Sequence, residues 1–241
     1  MNINNDFNLA NKKTVYDITP FTHLDYPNHL SCIVWISGCN LRCDYCYNKD
    51  IVLAKNGKLS FEDVLKFLDK RVNLLDAVVI SGGEATSQNL IPFCKKVKNK
   101  GFKIKLDTNG INFEHIKELV DLKLIDYIAL DYKAPKYKFE AITQTLISKF
   151  HTFEQTIDYL IQINQDFEVR TTVHSDLLNE DDINFIIEDL TKRKYLKKYF
   201  LQNYLDTDTS LGDINKQKKV LDLSKINKNN ATFLVQYRNF T

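Results

Sequence analysis

The chain has 241 residues, 44% of them hydrophobic and 27% charged, an ordinary balance for a soluble globular protein with a substantial core. A net charge of +2 excludes the broad positive field of a nucleic-acid binder, and no apolar stretch approaches the ~20 residues of a membrane span. Three of the five cysteines are clustered, which does not suit a disulfide framework, and the polar start Met1-Asn-Ile-Asn-Asn-Asp-Phe7 lacks a signal-peptide profile, so a reducing cytoplasm is expected.

The first strong element is the apolar run Cys32-Ile-Val-Trp-Ile36, read as a strand. Directly after it come Cys39-Asn-Leu-Arg-Cys43-Asp-Tyr-Cys46, three thiols in eight residues with no fourth nearby. Iron–sulfur clusters are normally held by four cysteines, so a set of three suits a 4Fe–4S cluster whose fourth iron is left for a small molecule. The competing reading is a three-Cys, one-His zinc site completed by His23 or His29, although zinc ligands usually come as two separated pairs. Cys32 and Cys94 lie in apolar patterns and read as core residues.

Further on, β-branched runs alternate with amphipathic helical patterns. Ser60-Phe-Glu-Asp63 opens a helix as a capping box, and Ala77-Val-Val-Ile-Ser81 is a buried strand ending in Gly82-Gly83-Glu84. A helix is predicted over 90–98 and a strand over 102–106, ending at Asp107-Thr108-Asn109-Gly110. A helix around Ile116 to Val120 and a strand over 127–130, ending at Asp131-Tyr-Lys133, come next. Helical spacing over 153–161, a strand over 167–173, a helix capped by Asn179 and a strand over 199–202 complete the alternation. A polar stretch over 206–219 separates the last of these from an apolar run over 233–237.

Six strand–helix units in this order imply parallel pairing with right-handed crossovers. A full eight-unit barrel typically needs ~250 residues, so an incomplete six-unit, (βα)6 TIM-like barrel fits better, as one domain over 1–241 with its core at 17–205. The polar motifs fall where the strands end, which is where such sheets place ligands. Two glycines at Gly82 and Gly83 let backbone approach a ligand closely, and Glu84 offers a carboxylate to an ammonium group. Asp-Thr-Asn-Gly also reads simply as a turn. Arg170 either faces the same cavity or pairs with a carboxylate.

The cysteine run resembles the C-x-x-x-C-x-Φ-C signature of the radical S-adenosylmethionine (radical SAM) superfamily, with Tyr45 at the aromatic position that lies against the adenine. Gly82-Gly83-Glu84 is similar to the superfamily motif that holds the methionine amino group, with Ala85-Thr86 where many members have Pro-Thr. The segments Asp107-Thr108-Asn109-Gly110 and Leu130-Asp131-Tyr132-Lys133 resemble those lining the cofactor in glycyl-radical activating enzymes. Pro20-Phe21 to Tyr26-Pro27 is most similar to the activating proteins of anaerobic (class III) ribonucleotide reductases, with Asn28 in place of the usual glycine and Tyr47 in place of a histidine.

The resemblance implies Cys39, Cys43 and Cys46 as cluster ligands, and Tyr45, Gly82, Gly83, Glu84, Asp107, Thr108, Asp131, Lys133 and Arg170 around S-adenosylmethionine. Two carboxylates near the cofactor's own carboxylate would need a monovalent cation, or Lys133, between them. A glycyl-radical partner, with anaerobic ribonucleotide reductase first, and a flavodoxin or ferredoxin reductant are implied in turn. Two alternatives remain at this point: a small-molecule enzyme like 7-carboxy-7-deazaguanine synthase, and a non-catalytic metal-binding module.

Overall fold

A computed structural model describes residues 12–206, 210–212 and 214–240. The polar start of the chain, Met1 to Phe7, lies outside the described residues. Packing divides the chain into two compact units that interleave in sequence: residues up to Asn40 with Asp50–Thr108 and Glu114–Ile128, and Leu41–Lys49 with Asn109–Phe113 and the chain from Ala129 onward.

The first unit carries β1 (Lys13–Thr22), β2 (Ser31–Ile36), β3 (Leu59–Ser60), β4 (Ala77–Gly82) and β5 (Lys103–Thr108) in the order β3-β1-β2-β4-β5. β2, β4 and β5 run parallel, with Cys32 opposite Val78 and Val78 opposite Ile104. These strands read as continuous apolar runs because a parallel strand is covered on both faces, and Cys32, Val34, Val78, Val79 and Ile80 are fully buried. β1 pairs antiparallel with both β2 and β3, with register shifts along its length.

The helices around this sheet are α1 (Lys49–Leu53), α2 (Phe61–Asp69), α3 (Ile91–Asn99) and α4 (Phe113–Asp121); the first residue of α1 and of α4 belongs to the other unit. α2 starts on the expected capping box. The Ser60 hydroxyl accepts from the Asp63 N–H at 3.2 Å, while Asp63 accepts from the Ser60 N–H at 2.9 Å.

The second unit carries the end of β6 (Tyr127–Asp131), then β7 (Phe167–Val173), β8 (Lys198–Asn203) and β9 (Leu234–Arg238) in the order β6-β7-β8-β9, with β7, β8 and β9 parallel. Its helices are α5 (Lys136–Thr143), α6 (Ser148–Gln162) and α7 (Glu180–Lys192). Tyr132, Phe139, Phe150 and Phe153 pack edge-on or tilted beneath α5 and α6, with ring centroids 4.8–6.1 Å apart. Arg193 joins α6 to α7 by pairing with Glu154, Asp158 and Asp189 at 2.6–2.8 Å. The buried Tyr195 hydroxyl accepts from the Val169 N–H and donates to the Lys198 carbonyl, fixing the starts of β7 and β8.

The α/β class is as the sequence indicates, and the six expected strands are β2, β4, β5, β6, β7 and β8. Beyond them, the described residues add antiparallel β1 and β3 and a further parallel strand, β9.

Candidate functional site

In the first unit, the end of β4 lies directly on the backbone that leads into Cys39. The Gly83 N–H donates to the Ile36 carbonyl and the Glu84 N–H to the Gly38 carbonyl, both at 2.9 Å. Gly82 has φ +127°, and a Cβ there would overlap the Ile36 backbone; one on Gly83 would overlap the Gly38 carbonyl and reach within 3.1 Å of the Cys39 Cβ. The sequence suggested glycines that admit a ligand. The backbone that lies against both is the chain's own, so the pair also seats the cysteine loop.

Glu84 is 1% exposed. Its Oε1 accepts from the Thr86 N–H at 3.1 Å, the Thr86 hydroxyl at 2.6 Å and the Thr108 hydroxyl at 2.8 Å. The carboxylate is thereby fixed in orientation, and Thr108 acts as its holder. Asp107 accepts from the Ser81 hydroxyl at 3.2 Å and pairs with Lys105, which is 1% exposed. Lys105 and Thr86 were missed in the sequence. The signal for Lys105 was its place two residues before Asp107, on the same face of a strand.

In the second unit, a turn closed by the Cys46 N–H on the Cys43 carbonyl at 3.0 Å carries Tyr45, which is 4% exposed. Burial pushes the Tyr45 phenol well above its ordinary range despite the nearby Lys133, so it stays a neutral donor. Among the described residues its buried hydroxyl has no hydrogen-bond partner. Such an orphan is rare in a native interior and marks a place where a polar ligand atom fits.

Asp131, Lys133 and Arg170 form one network: Lys133 Nζ lies 2.9 Å and Arg170 Nε 3.0 Å from the two Asp131 oxygens. Burial alone would raise the Asp131 carboxyl, but Arg170 and Lys133 outweigh it and hold it below the usual carboxylate range. Burial opposes the charge on Lys133, yet Asp131, Tyr45 and Cys43 push its pKa well up. Arg170 pairs with a carboxylate, one of the two readings the sequence left open.

A stability–pH effect follows from Asp131. A depressed carboxyl contributes fully above its unfolded value near pH 4, and that contribution is lost as pH falls through the lower folded value. Asp131→Asn should therefore lower the thermal midpoint at pH 7, and the gap to the parent should narrow progressively as pH falls below about 4. A gap independent of pH in thermal melts would sink this account.

Cys32 and Cys94 are fully buried, and burial pushes both thiols up to about 12, so they are inert core residues as expected. Cys43 is buried and Cys39 and Cys46 are half-buried; the five cysteines form no disulfide. Among the described residues no three His, Cys, Asp or Glu side chains are gathered as a finished metal cage. No helix of the described residues is long and apolar enough to cross a membrane.

A model of the radical SAM superfamily matches residues 33–190. The chain belongs to the radical SAM superfamily. A protein of Methanocaldococcus jannaschii, provisionally named a glycyl-radical enzyme activating enzyme, is 33% identical over 228 residues, covering 90% of this chain and 92% of the relative. The pyruvate formate-lyase-activating enzyme of Clostridium pasteurianum is 33% identical over 126 residues, covering 49% of this chain and 52% of that enzyme. SuiB of Streptococcus suis, solved bound to S-adenosylmethionine, aligns with a TM-score of 0.64 at 15% identity, covering 84% of this chain and 48% of that one. At that identity the likeness is one of fold. Within the radical SAM superfamily the chain groups with the glycyl-radical enzyme activating enzymes, and the superfamily implies a 4Fe–4S cluster and S-adenosylmethionine as cofactors.

Proposed function

We propose that this chain activates an anaerobic ribonucleotide reductase by taking a hydrogen atom from a backbone glycine of that partner. The observation that carries the activating role is the 33% identity extending over nine-tenths of the chain. The choice of reductase rests on the Pro20-Phe21 to Tyr26-Pro27 segment. A flavodoxin or ferredoxin in a reducing cytoplasm would supply the electron.

The thiols of Cys39, Cys43 and Cys46 would hold the cluster, a reading that rests on their sequence spacing and soft-donor chemistry. The orphaned hydroxyl of Tyr45, on the same turn, supports a ligand beside that run. Bound there, the cluster and S-adenosylmethionine supply a one-electron cleavage that yields methionine and a carbon radical able to take hydrogen from glycine. Glu84, locked by Thr86 and Thr108, would receive the methionine ammonium without reorganising. Lys133 and Arg170, both paired with Asp131, would offer cationic donors to the methionine carboxylate. A monovalent cation beside Asp107 and Asp131 is not required, because each already has its own cationic partner.

Glu84→Gln keeps an acceptor for Thr86 and Thr108 but removes the charge. It should weaken S-adenosylmethionine binding about 10- to 100-fold, the equivalent of ~1.5–3 kcal/mol, with little change in melting temperature. Calorimetric titration that finds unchanged affinity would move the ammonium site elsewhere.

The test of function is anaerobic incubation with reductant, S-adenosylmethionine and the reductase. The partner should acquire an electron-spin-resonance doublet, because a glycyl α-carbon radical keeps one hydrogen. Deuterating the partner's glycine should collapse the splitting and place deuterium in 5′-deoxyadenosine. Vigorous cofactor cleavage with no glycyl radical on the reductase would overturn the choice of partner.

A further inference from the structure

The chain that leaves β8 returns to the cysteine loop within the second unit. The Leu211 N–H donates to the Cys46 carbonyl at 2.8 Å and the Gly212 N–H to the Asp44 carbonyl at 2.9 Å. Two successive amides thus take the carbonyls on either side of Tyr45. Gly212 fits because it has no side chain: a Cβ would lie 2.7 Å from the Asp44 Cβ and Oδ1 and 2.8 Å from its Cα. The Ser210 hydroxyl donates to the Gly212 carbonyl at 2.6 Å and holds this short turn.

The same segment is tied to the end of β7. His174 is fully buried; its Nδ1 accepts from the Asp176 N–H, which leaves Nε2 to donate to the Asn215 carbonyl at 3.0 Å. The Ser175 hydroxyl donates to the Lys219 carbonyl at 2.6 Å. Gln217 accepts from the Ser175 N–H at 3.0 Å and donates to Asn203 Oδ1 at 2.8 Å, using both ends of its amide. A stretch that reads in sequence as a polar spacer is therefore anchored at one end and pressed on the cysteine loop at the other.

We propose that the described residues between Ser210 and Lys219 are a clamp on the cysteine loop, with Leu211 and Gly212 as positioning residues for Cys43 and Cys46. The two amides fix the peptide planes at Asp44 and Cys46, and with them the directions in which the neighbouring thiols leave the backbone. A loop so held returns a thiolate to its metal before the metal group is lost. This last consequence rests on the cluster assignment above; the clamp itself does not.

The experiment compares the full chain with Gly212→Val, with Gln217→Ala, which releases the anchor without touching the loop, and with Asn184→Ala as a control. Asn184 holds the Lys225 carbonyl and the Asn227 N–H, later in the tail. Hydrogen exchange on metal-free protein reads the clamp directly: the Leu211 and Gly212 amides should exchange at least tenfold faster in the two clamp variants and unchanged in the control. Iron release to a chelator from anaerobically reconstituted protein should also be at least tenfold faster in the clamp variants, with an altered spin-resonance line shape of the reduced cluster. Exchange and iron release within twofold of the parent in Gly212→Val would overturn the proposal. If Gly212→Val does not fold, Gln217→Ala decides on the same two readouts. A parent that takes up no iron would sink the cluster assignment, while the exchange arm still decides the clamp.

Discussion

Replacing Cys39, Cys43 or Cys46 with alanine should abolish iron uptake and all cleavage of S-adenosylmethionine, while the parent reconstitutes with about four irons per chain. The same change at Cys32 or Cys94 should leave iron content and activity intact. Both thiols sit in the core at 0% exposure with pKa pushed up to about 12, and deleting them costs packing only, on the order of 1 kcal/mol. The contrast separates a ligand from a buried cysteine in one set of iron and sulfide analyses. Copurifying zinc with no iron–sulfur absorbance after anaerobic reconstitution would return the run to the zinc reading.

Gly83→Val should be the most damaging single change outside the cysteines, and its damage should show before any cofactor is added. The new Cβ would overlap the Gly38 carbonyl, a backbone atom that cannot rotate away as a side-chain tip can. We expect loss of more than about 4 kcal/mol by urea titration, or failure to fold. Gly83→Ala should behave almost as badly, since the first carbon makes the clash. A Gly83→Val protein with parental stability and normal iron uptake would show that the loop does not rest on β4 as described.

Where a single local pattern decides the outcome, the sequence was readable. The capping box at Ser60 and the cap at Asn179 start α2 and α7 as expected, and the all-apolar runs of β2 and β4 are the parallel strands they resemble. β1 was not legible, because Pro20 and the charged residues within Lys13–Thr22 break the alternation that marks a strand, and its register shifts along its length. α5 follows Pro135 with a weak apolar stripe and no side-chain cap, so nothing local announces it.

At the site, sequence spacing picked out Glu84 and Asp131 correctly as carboxylates at strand ends, but not what neutralises them. Lys105 lies inside a strand pattern where an internal lysine ordinarily faces solvent, and only the fold shows it buried against Asp107. The seat that Gly83 gives the Gly38 carbonyl was not legible for a similar reason. Close approach is visible in a glycine pair, whereas the identity of the approaching backbone depends on which strands are neighbours.

The backbone partners of the cysteine loop have a consequence for how the protein is made. Leu211 lies 165 residues beyond Cys46. At ~5–20 residues per second, a ribosome needs roughly 10–30 s to span that distance. During that interval the nascent chain displays three thiols on a loop whose carbonyls at Asp44 and Cys46 still lack their final donors. The loop therefore reaches its final hydrogen bonding only after Leu211 and Gly212 have been made, late in synthesis.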